Sequence, residues 1–188
     1  MKKFFISLLL LITSVVSSEN IKDVAQKPAT KLEELTNIKG SILIKSFEKI
    51  GTLNAKYSSQ VKVMIYEFSD EKSKNKTYGL AIEVETGDKY NNSASSYIDF
   101  DEIPSLIKGL EFISGIQKNP ANLKNYEAKY ETRGGFEVIN FNSSEGIKAV
   151  IKAGRYNTKN AFIELKDLHT FKVMIEDSYK MLQQLKNK

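Results

Sequence analysis

Asp99 and Asp101 are the first pair in this chain whose types and spacing could do chemistry. Alternation along a strand would project both carboxylates to one side, about 7 Å apart. Paired carboxylates at such a distance suit acid–base work on a glycoside or the holding of a hard cation. The plainer reading is local: Asp101 stands just before a helical pattern, where an aspartate caps free amides. His169 is the only histidine. Triads need a histidine beside a nucleophile, and zinc sites usually gather several His or Cys ligands. A lone histidine in a helix first turn therefore reads as a surface residue. The chain has no cysteine, which removes thiol nucleophiles, thiolate metal sites and lipid attachment through sulfur. The loop ETRGGF, residues 131–136, could expose amides at Gly134 and Gly135 as an anion nest beside Arg133. Its alternative is a hairpin turn or bulge. Neither a phosphate-binding glycine loop nor a dinucleotide fingerprint is present. The sequence thus assigns no catalytic residue, no metal site and no cofactor, and it points away from an enzyme.

Aromatic residues carry the more informative pattern. If Ile98, Phe100, Ile163 and Leu165 face helices, then Tyr97 and Phe162 face away, and Met64, Tyr66 and Phe68 join them depending on which strand face is covered. A second apolar face must be buried or used. Either the two halves press these faces together as one barrel or sandwich, or the faces form a groove for an extended or flat ligand. The candidate ligand-binding residues are Tyr66, Tyr97, Phe162, Arg133 and Arg155. The expected partner is a protein, peptide or polyanion. Nucleic acid, held by Tyr97, Phe162, Arg133, Arg155 and nearby lysines, is the second reading and is not favoured.

The elements that must position these residues follow from periodicity. Residues 19–39 are polar, contain Pro28 and show a faint helical pattern around Leu32 and Leu35, which predicts a lead-in segment or short helix, poorly tied down. From Gly40 the period becomes two, the mark of strands. Strands are predicted over 41–47, 61–68, 78–86 and 96–100, with Val61, Val63 and Ile65 opposite Met64, Tyr66 and Phe68. At Ile103 the period switches to 3.6, and Ile103, Leu106, Ile107, Leu110 and Ile113 form one apolar stripe. Pro104 is tolerated in the first turn, where no intrahelical amide is lost. The order then recurs: strand, Gly-Gly turn and strand over 125–141, strands over 146–154 and 160–165, and a helix carrying Leu168, Phe171, Ile175, Leu182 and Leu185.

The recurrence has a fixed offset. Ile98 and Ile163 are 65 residues apart, and ten of the fifteen positions in 97–111 match 162–176 by residue class. The expectation is one α+β domain over 40–188, made of two antiparallel-strands-then-helix halves (40–122 and 123–188), each helix lying on its own sheet. Several strands followed by one helix, twice, resembles the Whirly-type and coactivator-type single-strand-binding folds. The residues that carry the resemblance are LAIEVET…SYIDFDEIPSLIKGL and IKAVIKAG…AFIELKDLHTFKVMI. The resemblance implies sheets that present basic and aromatic residues to nucleic acid. This chain lacks the plant-type Lys-Gly-rich strand signature, and its strand residues are as often Glu as Lys.

Residues 1–18 read as a secretory signal peptide: Lys2 and Lys3, an apolar run over 4–16, then small residues at 16–18, with the mature chain expected from Glu19. The run is shorter than the roughly 20 residues a membrane span needs, and no later segment is apolar enough to be one. Removing Lys2 and Lys3 takes the formal net charge from +5 to +3. Lysines and carboxylates are interspersed, as on an ordinary solvated surface. A cysteine-free exported chain of about 170 residues must rely on an apolar core, which that length supports. A secreted or periplasmic bacterial protein is the expected class. Sequons at Asn75, Asn91 and Asn142 would matter only in a eukaryotic secretory route.

Overall fold

The computed structural model describes residues 27–90 and 92–187. The signal peptide, the expected mature terminus at Glu19 and the sequon asparagine Asn91 lie outside them. A short helix, α1 (Lys31–Thr36), precedes a four-stranded antiparallel meander of β1 (Leu43–Asn54), β2 (Gln60–Asp70), β3 (Lys76–Glu85) and β4 (Ser93–Asp99). Helix α2 (Ile103–Ser114) follows. A second meander, β5 (Glu127–Glu131), β6 (Glu137–Ser143), β7 (Gly146–Ala153) and β8 (Lys159–Ile163), leads into α3 (Asp167–Lys186). The protein is α+β, with the same order of elements occurring twice.

The period-two pattern dictates the sheet faces. Val61, Val63 and Ile65 of β2 and Leu80, Ile82 and Val84 of β3 are all at most 3% exposed. They share one core with Ile98, with both helices, and with Val138, Ala149, Ile151, Ala161 and Ile163 of the second sheet. The 65-residue offset holds in this core. Ile103, Leu106, Leu110 and Ile113 of α2 are buried, and so are Leu168, Phe171, Ile175 and Ser178 of α3. Phe100 departs from expectation: it sits in a one-turn 3-10 helix (Phe100–Glu102), half-buried against Tyr179 at 5.2 Å between ring centroids.

The helices are exchanged between the halves, which corrects the expectation that each covers its own sheet. Helix α2 packs chiefly on β5 and β6 and against α3, whereas α3 packs on β1, β2 and β3. Asn140 of β6, fully buried, anchors α2 by donating from Nδ2 to the carbonyls of Ile113 and Ile116, both at 3.1 Å. Its Oδ1 accepts from the Tyr126 hydroxyl at 2.6 Å. Gly109 lets α2 approach the Tyr130 ring of β5 more closely than any side chain would permit. An apolar stripe states that a helix buries one face; it does not name the sheet.

Sheet edges are treated unequally. The β5–β6 turn presses on β4, since a Cβ at Gly134 would collide with the Tyr97 carbonyl. The Gly154 amide donates to Ser96 Oγ at 2.8 Å. Strand β1, by contrast, is the outer strand of its sheet. It is exposed from Ile44 to Lys49 and is interrupted by a bulge at Ile50, between Lys49 and Gly51.

Candidate functional site

The face of the first sheet turned away from the core carries a continuous aromatic row. Strand pairing sets Phe47 beside Tyr66, and Ala81 beside Tyr97. Phe47 stacks on Tyr66 at 5.5 Å between ring centroids. Tyr66 meets Phe68 at 5.5 Å and Tyr97 at 5.8 Å, both edge to face. Offset and edge-to-face pairs of this kind are favoured by the ring quadrupole. Lys45 Nζ lies 5.2 Å from the centre of the Phe68 ring. Burial raises the hydroxyl pKa of both Tyr97 and Tyr66. The row therefore grades from closed to open: Phe68 is fully buried, Tyr66 and Tyr97 are half-buried, and Phe47 is 67% exposed.

Helix α1 closes one end of this face. Thr30 caps it, accepting from the Glu33 amide at 3.1 Å, while Glu33 Oε2 accepts from the Ala29 amide at 2.7 Å. This reciprocal bonding satisfies amides that a helix start leaves free. Leu32 is fully buried over Gly79, where a Cβ would lie 2.5 Å from its Cδ1. The expectation of a poorly tied lead-in is thus corrected over the described residues. A single leucine finds a site on the sheet because Gly79 leaves room for it.

The Asp99–Asp101 reading is also corrected. Asp99 ends β4 and is 1% exposed, and its two oxygens accept from the amides of Lys31 at 2.9 Å and Leu32 at 3.2 Å. Both belong to the first turn of α1, so the carboxylate acts as a cap supplied by a distant strand. Asp101 is in the 3-10 turn and exposed, pairing with Lys31 at 3.2 Å and Arg133 at 3.3 Å. It makes no capping bond to α2, whose first turn has no side-chain cap.

Both arginines are likewise engaged in holding the chain together. Arg133 donates from its backbone amide to Glu102 Oε1 at 2.8 Å and from Nε to Oε2 at 3.3 Å. Its Nη2 lies 3.5 Å from Asp99. An internal carboxylate therefore occupies the place the sequence offers to an external anion. Of the two glycines in that turn only Gly135 has positive φ, 73°. Arg155 donates from Nη1 to the Lys27 carbonyl at 3.1 Å and faces Glu33 at 3.4 Å. Asp99 and Arg155 hold residues 27–33, and Arg133 braces Asp99.

Of the five residues the sequence singles out, the structure brings Tyr66 and Tyr97 together. Arg155 holds the segment leading into α1, and Arg133 braces Asp99, which caps that helix. Phe162 belongs to the outer face of the second sheet, beside Val150 of β7. Sequence reasoning missed Phe47 and the lysines flanking it, Lys45 and Lys49. The signal was a strand pattern that continues past Phe47 to Asn54, beyond the predicted end.

Comparison with protein-family models, with curated proteins and with solved structures returns no match. The Whirly-type resemblance accordingly rests on element order alone.

Proposed function

We propose that the protein is an exported, non-enzymatic binding protein that takes up an extended segment of a partner polypeptide along β1. The observation that carries the reading is the open outer edge of β1, with Ile42, Ile44 and Phe47 at 69%, 47% and 67% exposure. An edge strand offers unpaired amides and carbonyls, and strand addition uses them for affinity while side-chain pockets give selectivity. A depression of about 230 Å³ runs along this edge, bounded by Phe47, Glu48, Ile65, Tyr66 and Leu185. It offers a seat for an apolar side chain. Lys45 and Lys49 flank Phe47 on the same face and have no carboxylate partner among the described residues, so acidic–apolar alternation in the partner would complement them. The reading of residues 1–18 as a secretory leader supports export.

Both arginines are held by carboxylates of the chain itself, which argues for a peptide over a polyanion. Phe47→Asp removes the exposed ring and leaves the core intact. A displayed library of twelve-residue peptides is expected to yield binders that the Phe47→Asp variant holds about tenfold to a hundredfold more weakly, the loss of one central aromatic anchor. Absence of binders, or binders indifferent to this change, would overturn the reading.

A further inference from the structure

A second feature lies between the sheets, at the far end from α1. Tyr57 and Ser58, in the turn joining β1 to β2, both have positive φ, at 57° and 58°. Consecutive left-handed positions of this kind suit Asn and Gly, and a tyrosine there is strained. Gly87 backs the turn, since a Cβ at that position would collide with the Tyr57 carbonyl. Tyr57 is thereby held 82% exposed, its ring edge-on to Phe162 at 6.2 Å between centroids. Strain that packing holds in place clusters at ligand clamps.

Beside the pair is a cleft of about 280 Å³, close to the lower end of small-molecule sites at about 300 Å³. Phe141 lines it beside Phe162, the strands at Ala149 and Ile163 form its base, Ser143 and Ser144 add hydroxyls, and Lys56, Glu145 and Lys148 give it a charged rim. Lys56 pairs with Glu164 at 2.7 Å and Lys148 with Glu145 at 3.2 Å. The Lys56 ammonium holds the Glu164 carboxyl below its usual range. Each cation is matched by a carboxylate, so the rim has no surplus charge to draw an anion. Each paired group nevertheless keeps spare donors or lone pairs. An apolar ring face bordered by neutral hydroxyls fits both halves of this lining: its C–H groups meet the negative faces of the aromatic rings, and its hydroxyls meet the rim. A bare aromatic ligand would leave the rim groups unmatched.

We infer that this cleft binds a neutral saccharide, one pyranose face on the Tyr57 ring and its edge toward Phe162, with its hydroxyls on the Lys56–Glu164 and Lys148–Glu145 pairs. The test is saturation-transfer NMR on the full mature chain with cellobiose, diacetylchitobiose and maltose, and a sulfated disaccharide as the charged counterpart. At least one neutral disaccharide is expected to bind with an affinity that does not change between low and high salt. Glycine suits left-handed backbone, so Tyr57→Gly is expected to keep or raise the thermal midpoint while weakening binding about tenfold, the loss of one ring contact. Phe47→Asp is expected to leave it unchanged. Binding by the sulfated sugar alone, by none of the four, or undiminished in Tyr57→Gly would overturn the inference.

Discussion

A chain comprising residues 27–122 is expected not to fold by itself. It contains α1, the whole first sheet and α2, yet the helix that covers the inner face of β1–β3 is α3, from the other half. Without α3, Val61, Val63, Ile65, Leu80 and Ile82 lose Phe171, Ile175 and Leu182, with which they form one core. Helix α2 would in turn lose β5, β6 and the Asn140 side chain that bonds the carbonyls of Ile113, in its last turn, and of Ile116 just beyond it. Small chains are marginal because they bury a smaller fraction of their surface, and this fragment would leave one full sheet face in water. The separate 123–188 fragment is expected to fail for the same reason. Mixing the two is expected to restore a cooperative urea transition. Cooperative unfolding of 27–122 alone would mean that α2 can cover its own sheet, and the exchanged packing would then not be required.

Asp99→Ala is expected to cost about 2–4 kcal/mol, in the range for removing a buried charged acceptor that serves several donors. The side chain is 1% exposed and takes two amides of α1, with the Arg133 guanidinium 3.5 Å away. Its loss leaves those amides without an acceptor and frees α1 from the sheet, opening the site over Gly79 that Leu32 fills. The urea midpoint should fall, and amides in 31–36 should lose protection from hydrogen exchange. Asp101→Ala is the matched control: its exposed ion pairs are worth less than about 1 kcal/mol. Equal effects of the two substitutions would contradict the assignment of Asp99 as the cap of α1.

These two results bear on what could be read from the residues. The double meander, the two amphipathic helices and the 65-residue offset were legible because burial leaves a periodic trace. Ile103 and Leu168, or Leu106 and Phe171, occupy equivalent buried places for that reason. Helix exchange left no such trace, since the stripe on α2 is the same whichever sheet it meets. Docking of α1 turns on one leucine, one distant aspartate and a glycine that makes room, none of which has a period. The TKLE run, with Thr30 and Glu33 spaced as a capping box, was the one local signal for that helix. Tyr66 and Tyr97 were legible as outward-facing aromatics. The exposure of Phe47 was not, because a sequence does not say which strand ends a sheet.

The first sheet has one covered edge, at β4, and one open edge, at β1. Native-state hydrogen exchange measures this directly, because amides without a partner exchange without unfolding. The outward-pointing amides between Ile44 and Lys49 should exchange freely in the dilute monomer, while the Gly154 amide, which donates to Ser96 Oγ across the β4 edge, should be protected. Protection along all of β1, or rapid exchange at Gly154, would contradict it.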